Sequence, residues 1–377
     1  MKPVLFISVM NGSAWGGSEE IWFQSVLWLA QRNYPVGVCC FNWPGKQDKL
    51  QQLKQAGCKL YLLPGKNETK SIFGKWKLTK AVKVIPFSGY HTVIVNQGGW
   101  KDVVHGPFKK LYKRLPRYAL TFHNYNAKEK LPGGKRNLLS NWIHNSYANL
   151  AATERVFSTL KESYSLNAPN QAIVINPITF APPESITPFA TAHETKSIFC
   201  MLAALDTNRK AQDLLIKTLG QSKWKERNWE LNLYGEGNDK VILEKAIIEQ
   251  QLQSKIFLKG YTKDIKKVLA ESHLLLQITH RDAMPLSVME AMAMSRPVVI
   301  SDVGDMALWV KQGANGWITP EVTVECINET LEIAWVNRHR WEEMGKKSFA
   351  IFKEKYPADP AKYFLKQTSI LGDERVS

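Results

Sequence analysis

Short apolar runs rich in β-branched residues alternate with helix-length amphipathic stretches along the whole 377-residue chain, and this alternation limits the fold more than any other feature. Strand patterns fall at 4–9, 36–41, 59–63, 92–96, 118–122, 148–152 and 172–175, then at 197–204, 229–234, 255–258, 273–278, 297–301 and 316–318. Helical patterns lie between most of them, among them 18–32, 212–220, 238–250, 263–271, 286–294 and 321–336. Strand, helix, strand repeated in this way reads as βαβ units, hence parallel sheets with helices on both faces. Between the two series runs a segment from Asn176 to Ala192 carrying Pro177, Pro182, Pro183 and Pro188, the composition of a linker. The expectation is an α/β protein of two doubly wound domains, 1–178 and 179–355, with a tail at 356–377 that packs back on the first. Ligands of such sheets bind at the carboxyl ends of the strands, so a crevice between the domains is the expected site.

Charge separates the two halves. The chain holds 50 Lys+Arg against 34 Asp+Glu, a formal net charge of +16. Residues 1–180 hold 24 basic and 8 acidic residues, whereas 181–377 hold 26 of each. All the excess therefore lies in the first half, and the halves are expected to meet different partners. The five cysteines, Cys39, Cys40, Cys58, Cys200 and Cys326, form no CxxC pair, so neither a disulfide framework nor a zinc site is indicated. Met1 to Met10 is a short apolar start without a small-residue cleavage site, and it reads as a buried first strand. No apolar run reaches the roughly 18–20 residues that span a bilayer. These features point to a cytoplasmic protein that meets any membrane from the side.

Four segments carry chemistry. Asn11-Gly12-Ser13-Ala14-Trp15-Gly16-Gly17-Ser18-Glu19-Glu20 follows the first strand. Its glycines allow close backbone approach, and its N–H groups suit a phosphate or a sugar hydroxyl. It reads equally as a plain strand–helix turn in which Glu19 and Glu20 favour the helix dipole. His123, in Thr121-Phe122-His123-Asn124, sits at a strand's carboxyl end and is placed to bond a substrate or transfer a proton. A lone histidine there is more often structural. Arg209 and Lys210, in the turn Leu205 to Asp213, add positive charge at a helix start, which suits a diphosphate. A solvated loop is the bland alternative.

The fourth segment, His280 to Val299, is the most specific. A strand ends at Thr279, a turn carries Asp282, and a helix with Glu290 inside follows. A ligand across that helix start meets one carboxylate at its sugar end and the other at a ribose, with the N–H groups of Leu286 and Ser287 near the phosphates. The apolar neighbours Val288, Met289, Ala291 and Met292 mark a mostly buried helix, where an acid without a partner is costly.

In this order the segments resemble the retaining GT-B glycosyltransferases of the glycosyl transferases group 1 class, carbohydrate-active family 4. Asp282 to Glu290 looks like that family's E-x7-E region, with Glu290-Ala291-Met292 as its Glu-Ala-Met. Lys210 with Gln212-Asp213-Leu214-Leu215 resembles its Lys-Gly-x-Asp-x-Leu stretch, and Gly16-Gly17-Ser18-Glu19 its Gly-Gly-x-Glu loop. Gly304 and Asn315-Gly316-Trp317 match later positions. The chain departs from the pattern at Ala204 for Arg, Ala211 for Gly, Asp282 for Glu and Ala283 for Gly. The resemblance implies retaining transfer of a hexosyl group from a UDP- or GDP-sugar to a glycan or lipid-linked acceptor of the cell envelope. The nucleotide sugar is then a substrate and no resident cofactor is implied. His123, Asp282, Arg209 and Lys210 fall at the reacting end, and Gly16, Gly17, Glu290, Met284, Leu286 and Ser287 at donor-binding positions. No D-x-D occurs in the chain, which fits leaving-group stabilisation without a metal.

The basic half suggests where the acceptor arrives. His105 to Arg117 spaces Phe108, Leu111, Tyr112 and Leu115 at helical intervals among Lys109, Lys110, Lys113, Arg114 and Arg117. It reads either as a basic amphipathic helix on an anionic membrane, helped by Lys75, Trp76, Lys77, Lys80 and Lys83, or as a helix packed on its own sheet. Nucleic acid is not an expected partner, because basic charge without a recognition motif is unspecific. The competing functions on the same fold are a non-catalytic sugar- or nucleotide-binding protein and a sugar-nucleotide epimerase or hydrolase.

Overall fold

The computed structural model describes residues 1–10, 15–65, 68–123, 130–189 and 196–371. Asn11 to Ala14 of the glycine-rich segment, Asn124 and the linker's last residues, 190–192, lie outside them. The chain divides into two compact units, Met1–Pro177 with Pro357–Ser377, and Ile178–Tyr356.

The first unit is built on seven strands: β1 (Val4–Ser8), β2 (Val36–Phe41), β3 (Lys59–Leu63), β4 (Thr92–Gln97), β5 (Tyr118–Phe122), β6 (Ala148–Ala151) and β7 (Gln171–Ile173). They pair in parallel in the order β3-β2-β1-β4-β5-β6-β7. The second unit has six: β8 (Ser197–Leu202), β9 (Trp229–Tyr234), β10 (Ile256–Gly260), β11 (Leu274–Gln277), β12 (Val298–Ser301) and β13 (Gly316–Thr319). Their order is β10-β9-β8-β11-β12-β13, again parallel. Both are doubly wound Rossmann-like sheets, the fold class expected from the alternating pattern. Each expected strand is present, with ends within about two residues, as is usual for boundaries read from local pattern.

Parallel strands covered on both faces need apolar side chains at every position. In β1, Leu5 and Ile7 enter one cluster with Cys39, Phe41, Val93 and Val95, while Val4 and Phe6 enter another with Val38, Cys40 and Ile94. Consecutive residues thus serve opposite faces. The strand order reverses beside β1 and β4 in the first unit, and beside β8 and β11 in the second. The carboxyl ends of those strands are where a doubly wound sheet leaves room for a ligand. The helix Pro360–Gln367 completes the first unit: Phe364 and Leu365 are fully buried in the cluster containing Trp22 and Val26, and Trp28 Nε1 donates to Asp359 at 2.8 Å.

The segment expected to lie on a membrane or on its own sheet does the second. Gly106–Arg114 is a 3-10 helix whose Phe108 and Leu111, with Leu115 beyond, are buried in the cluster of Leu5 and Val93. Its lysines are solvated and its apolar side is used up. The neighbouring helix Ile72–Lys83 differs. It buries Leu78 and Val82, yet Ile72, Phe73 and Trp76 are 87%, 62% and 56% exposed.

The four cysteines Cys39, Cys40, Cys58 and Cys200 are buried free thiols and Cys326 is partly buried. Burial pushes the Cys40 and Cys200 thiols up to about 12, so neither is a ready nucleophile. Among the described residues no His, Cys, Asp and Glu cluster has the make-up of a metal site, and no helix is long and apolar enough to cross a membrane.

Candidate functional site

In the second unit the chain leaves β8 and makes a short helix, Thr207–Lys210, before entering the helix Gln212–Leu219. Asp239 accepts from the Thr207 backbone N–H at 2.7 Å and its hydroxyl at 2.8 Å, pinning the start of this turn. The Arg209 carbonyl accepts from the His280 N–H at 2.9 Å and the Thr279 hydroxyl at 2.6 Å. Those bonds join the Arg209–Lys210 turn to the strand end that leads into Asp282. Lys210, itself buried, then makes an ion pair with the Asp282 carboxylate. The two motifs that lie 72 residues apart in sequence are thereby one site. Arg209 lies more openly, with Nε 3.4 Å from Asp206.

Ala211, between the two helices, is left-handed with φ +49° and ψ +28°. The resemblance places Gly here, and the backbone does require the conformation that glycine adopts without strain. Ala283 is not among the positive-φ residues, so its substitution carries no such strain. Gly304 is the opposite case: a Cβ there would meet the Ala283 carbonyl oxygen at 1.8 Å.

The helix Leu286–Ala293 opens at Pro285 with no side-chain cap. Its first N–H groups therefore carry the positive end of the helix dipole unopposed. Ser287 is buried and donates to Gln277 Oε1 at 3.0 Å, Met284 is buried, and Leu286 is partly exposed. Glu290 is 3% exposed, and one carboxylate oxygen, Oε1, takes hydrogen bonds from the Thr179 N–H at 3.0 Å and its hydroxyl at 2.6 Å. Oε2 accepts none among the described residues. Burial raises the Glu290 carboxyl above its ordinary value, against the pull of both Thr179 bonds. Thr179 lies in the proline-rich segment, and nothing in its sequence context marks it as a partner of Glu290.

In the first unit Gly16 is extended, with open space where a side chain would stand, and Gly17 is the first residue of the helix Gly17–Ala30. Glu19 is no surface acid: it is 1% exposed and paired with Lys46 Nζ at 2.9 Å, itself 0% exposed. Ser8 also donates to it at 2.9 Å, and Trp22 Nε1 bonds it. His123 is buried after β5, with Nε2 2.6 Å from Asn96 Oδ1. Burial pushes the imidazole down to about 4, so it is neutral at physiological pH. Sequence reasoning missed Asn96 and Lys46. The break of the apolar run Val93-Ile94-Val95 by Asn96-Gln97 at the carboxyl end of β4 was a usable signal for the first; Lys46 has none.

Residues 196–334 match the family model described as "Glycosyl transferases group 1". The chain is 25% identical over 305 residues to a poly(glycerol-phosphate) alpha-glucosyltransferase of Bacillus subtilis (strain 168), covering 79% of this chain and 39% of that protein. It is 26% identical over 201 residues to a poly(ribitol-phosphate) alpha-N-acetylglucosaminyltransferase of Staphylococcus aureus (strain COL), covering 53% and 41%. The chain thus spans about two fifths of the length of these curated relatives. Among solved structures, Anabaena Alr3699/HepE in complex with UDP superposes with a TM-score of 0.76 at 15% identity, covering 98% of this chain and all of the other. An S. aureus TarM variant in complex with fondaparinux, alpha-GlcNAc-glycerol and UDP gives 0.71 at 15%, covering 97% and 99%. At such identities the structural likeness establishes the fold.

Proposed function

The chain belongs to the glycosyl transferases group 1 family, and from that premise we propose that it moves a hexosyl group from a UDP-sugar to an anionic, polyol-phosphate-type acceptor with retention at the anomeric carbon. The observation that carries the reading is the Lys210–Asp282 pair beside an uncapped helix start. It gathers a countercharge, a carboxylate and free N–H groups.

The barrier to transfer is the break of the bond between the anomeric carbon and the diphosphate. Negative charge grows on the leaving phosphate while positive charge grows on the sugar. Lys210, Arg209 and the N–H groups of Leu286 and Ser287 offset the first without a metal. A diphosphate exchanges Lys210 from Asp282, and the released carboxylate is then free to accept from sugar hydroxyls. His123 accepts from another hydroxyl of the sugar. The open oxygen of Glu290 binds the ribose, while Thr179 holds the other. Met284 and the backbone at Gly16 and Gly17 line the donor. In the retaining reaction the acceptor hydroxyl attacks on the face from which the phosphate departs. Its proton passes to the leaving phosphate oxygen, so atoms and charge balance. The alpha products in the relatives' names support retention, since the common UDP-hexoses are alpha-linked.

An anionic acceptor is supported by the excess positive charge of the first unit and by the polyol-phosphate substrates in the relatives' names. Mixing the protein with UDP-, GDP- and ADP-sugars, with and without poly(glycerol phosphate), tests the reading. Alpha-linked product from a UDP-sugar is expected. Free epimer, or binding with no turnover of any donor, overturns it in favour of an epimerase or a non-catalytic binder.

We infer in addition peripheral contact with an anionic membrane, seated on the helix Ile72–Lys83 rather than on Gly106–Arg114. Ile72, Phe73 and Trp76 stand in solvent, with Phe73 and Trp76 stacked at 5.8 Å. Lys77 and Lys80 lie over their rings, and Lys75 and Lys83 are exposed beside them. Exposed aromatics among lysines suit the interfacial zone of an anionic bilayer, whereas a soluble polyanion needs only the lysines. Vesicles containing phosphatidylglycerol are expected to pull down the protein, and the double substitution Phe73→Ser, Trp76→Ser to release it. Equal sedimentation of both proteins overturns this contact.

A further inference from the structure

One ring nitrogen of His123 is spoken for and the other is not. Nε2 lies 2.6 Å from Asn96 Oδ1, while Nδ1 is buried and has no hydrogen-bond partner among the described residues. Burying a polar atom without a partner is costly, so its retention asks for a reason.

The other end of Asn96 decides which nitrogen carries the proton. Asn96 Nδ2 faces the Ser18 carbonyl at 3.2 Å, the Met10 sulfur at 3.2 Å and the Glu19 carboxylate at 3.5 Å. All three are acceptors, so the amide must present its N–H groups to them. Turning the amide over would set its oxygen against a carbonyl and an anion. Oδ1 therefore points the other way, where it accepts from the Thr121 hydroxyl at 2.8 Å and from His123. Since Oδ1 only accepts, Nε2 must donate. A neutral imidazole with its proton on Nε2 has a bare lone pair on Nδ1.

Glu19 is itself held rigidly. Lys46 neutralises it, and Ser8 and Trp22 bond it. The order of dependence runs from the Lys46–Glu19 pair through Asn96 to His123, across β1, β4 and β5, whose carboxyl ends lie side by side.

We propose that Asn96 is a positioning residue, which fixes His123 as the Nε2–H tautomer and reserves Nδ1 as an acceptor for a hydroxyl of the transferred sugar. This rests on the reading of His123 as a sugar-contacting residue. It adds a requirement to that reading: the donor must offer a hydroxyl proton at this point, and a sugar lacking that hydroxyl is rejected.

The test uses the full chain labelled with 15N-histidine, with the His123 signals assigned by their loss in His123→Gln. In the wild type, Nδ1 is expected to be unprotonated and Nε2 protonated, with no titration between pH 8 and about pH 5.5. In Asn96→Asp a carboxylate faces Nε2 and stabilises the imidazolium, which raises the histidine pKa. Both nitrogens then donate. Transfer by that variant is expected to fall at least tenfold at neutral pH and to recover as pH rises through the new pKa. Binding of UDP alone, read by calorimetry, stays within about twofold. Should Asn96→Asp fold poorly, Asn96→Ala is expected to mix the two tautomers and to lower kcat more than it raises KM.

A wild-type Nδ1–H tautomer overturns the proposal, as does an Asn96→Ala histidine with the wild-type spectrum. The assigned tautomer together with wild-type transfer by His123→Gln and Asn96→Asp overturns the link to the sugar. The glycosyltransferase reading is tested separately by the donor panel, so the two failures are distinguishable.

Discussion

Among the described residues, a lysine–carboxylate pair near the carboxyl end of the first strand can be compared in each unit, Lys46–Glu19 and Lys210–Asp282, and the two are built for different ends. Lys46–Glu19 is sealed, with side chains 0% and 1% exposed, and has two further bonds from Ser8 and Trp22. Lys210–Asp282 is within reach of solvent, at 9% and 22%, and beside it lies a helix start with no cap. The surrounding charge differs in the same sense. The unit with the sealed pair carries 27 basic and 11 acidic residues, whereas the other has 23 of each. An ion pair in a sealed site is a structural fixture, because opening it strands a charge in low dielectric. On the proposed function the same kind of pair at a solvent-reachable turn is a resting state, in which an arriving diphosphate takes the place of the carboxylate on Lys210. On that reading one fold supports a rigid post and an exchangeable latch.

The sharpest way to break this comparison is to delete one lysine from each pair. Lys46→Ala leaves Glu19 buried without its partner, and the expected loss of stability is about 3–5 kcal/mol. It shows as early melting of the first unit, followed by hydrogen exchange at β1 and β4. Lys210→Ala is expected to leave that melting unchanged and to lower kcat by about 100-fold, or ~2.7 kcal/mol of leaving-group stabilisation. If Lys46→Ala keeps its stability, or Lys210→Ala keeps its rate, the assignment of post and latch fails.

Acid sharpens the contrast, because His123 in the first unit and Glu290 in the second are buried groups shifted in opposite senses. His123 is depressed to about 4 by burial, against roughly 6.5 in an unfolded chain. Its contribution to stability is complete above about pH 6.5 and is lost as pH falls toward 4, since the unfolded chain takes up the proton first. Fully developed, the loss is roughly 3 kcal/mol. Glu290 is raised by burial, so the folded second unit binds its proton more readily than the unfolded chain does. Its contribution is greatest at low pH and declines as pH rises through the raised value. Between pH 7 and 5 His123 is expected to cost the first unit stability, while Asp102, raised by burial to about 6, returns part of it. His123→Gln is therefore expected to remove the loss and leave a profile that is flat or rises toward acid. Donor KM is expected to rise as pH falls through the raised value of Glu290, which then takes a proton and accepts more weakly from the ribose. A profile that His123→Gln leaves unchanged rejects the assignment.

Which parts of this were legible beforehand follows from the range of the interactions. The strands were, because a parallel strand must be apolar along its own length, so each announces itself locally. Lys210, Asp282 and Glu290 stood out because their motifs are contiguous and resemble a known family, and the fold brings Lys210 to Asp282. The other partners were not legible. Thr179 reaches Glu290 across 111 residues, and Lys46 reaches Glu19 across 27; no local periodicity records either. The segment around Phe108 shows the same limit from another side. Its spacing correctly separated apolar from basic residues, but spacing cannot say whether the apolar side meets a membrane or the protein's own sheet. On the helix Ile72–Lys83, Leu78 and Val82 face inward while Phe73 and Trp76 do not, a division set by which face the sheet happens to cover.

The smallest expected effect concerns the backbone that carries the latch. Ala211 is left-handed and 0% exposed, and left-handed geometry costs a non-glycine residue roughly 1–2 kcal/mol. Ala211→Gly relieves that strain, but it loosens the unfolded chain by roughly 0.5–1 kcal/mol and removes one buried methyl. The terms nearly cancel, so a gain of about 0.5 kcal/mol or less is expected in the melting of the second unit. The rate is the more telling readout. If the strained turn presses Lys210 toward Asp282, relaxing it weakens the latch and lowers the KM for donor by about twofold. If the turn merely joins two helices, stability shifts slightly and KM does not move. A clear loss of stability would show instead that the Ala211 methyl, within the cluster of Leu215 and Leu205, outweighs the strain of its own backbone.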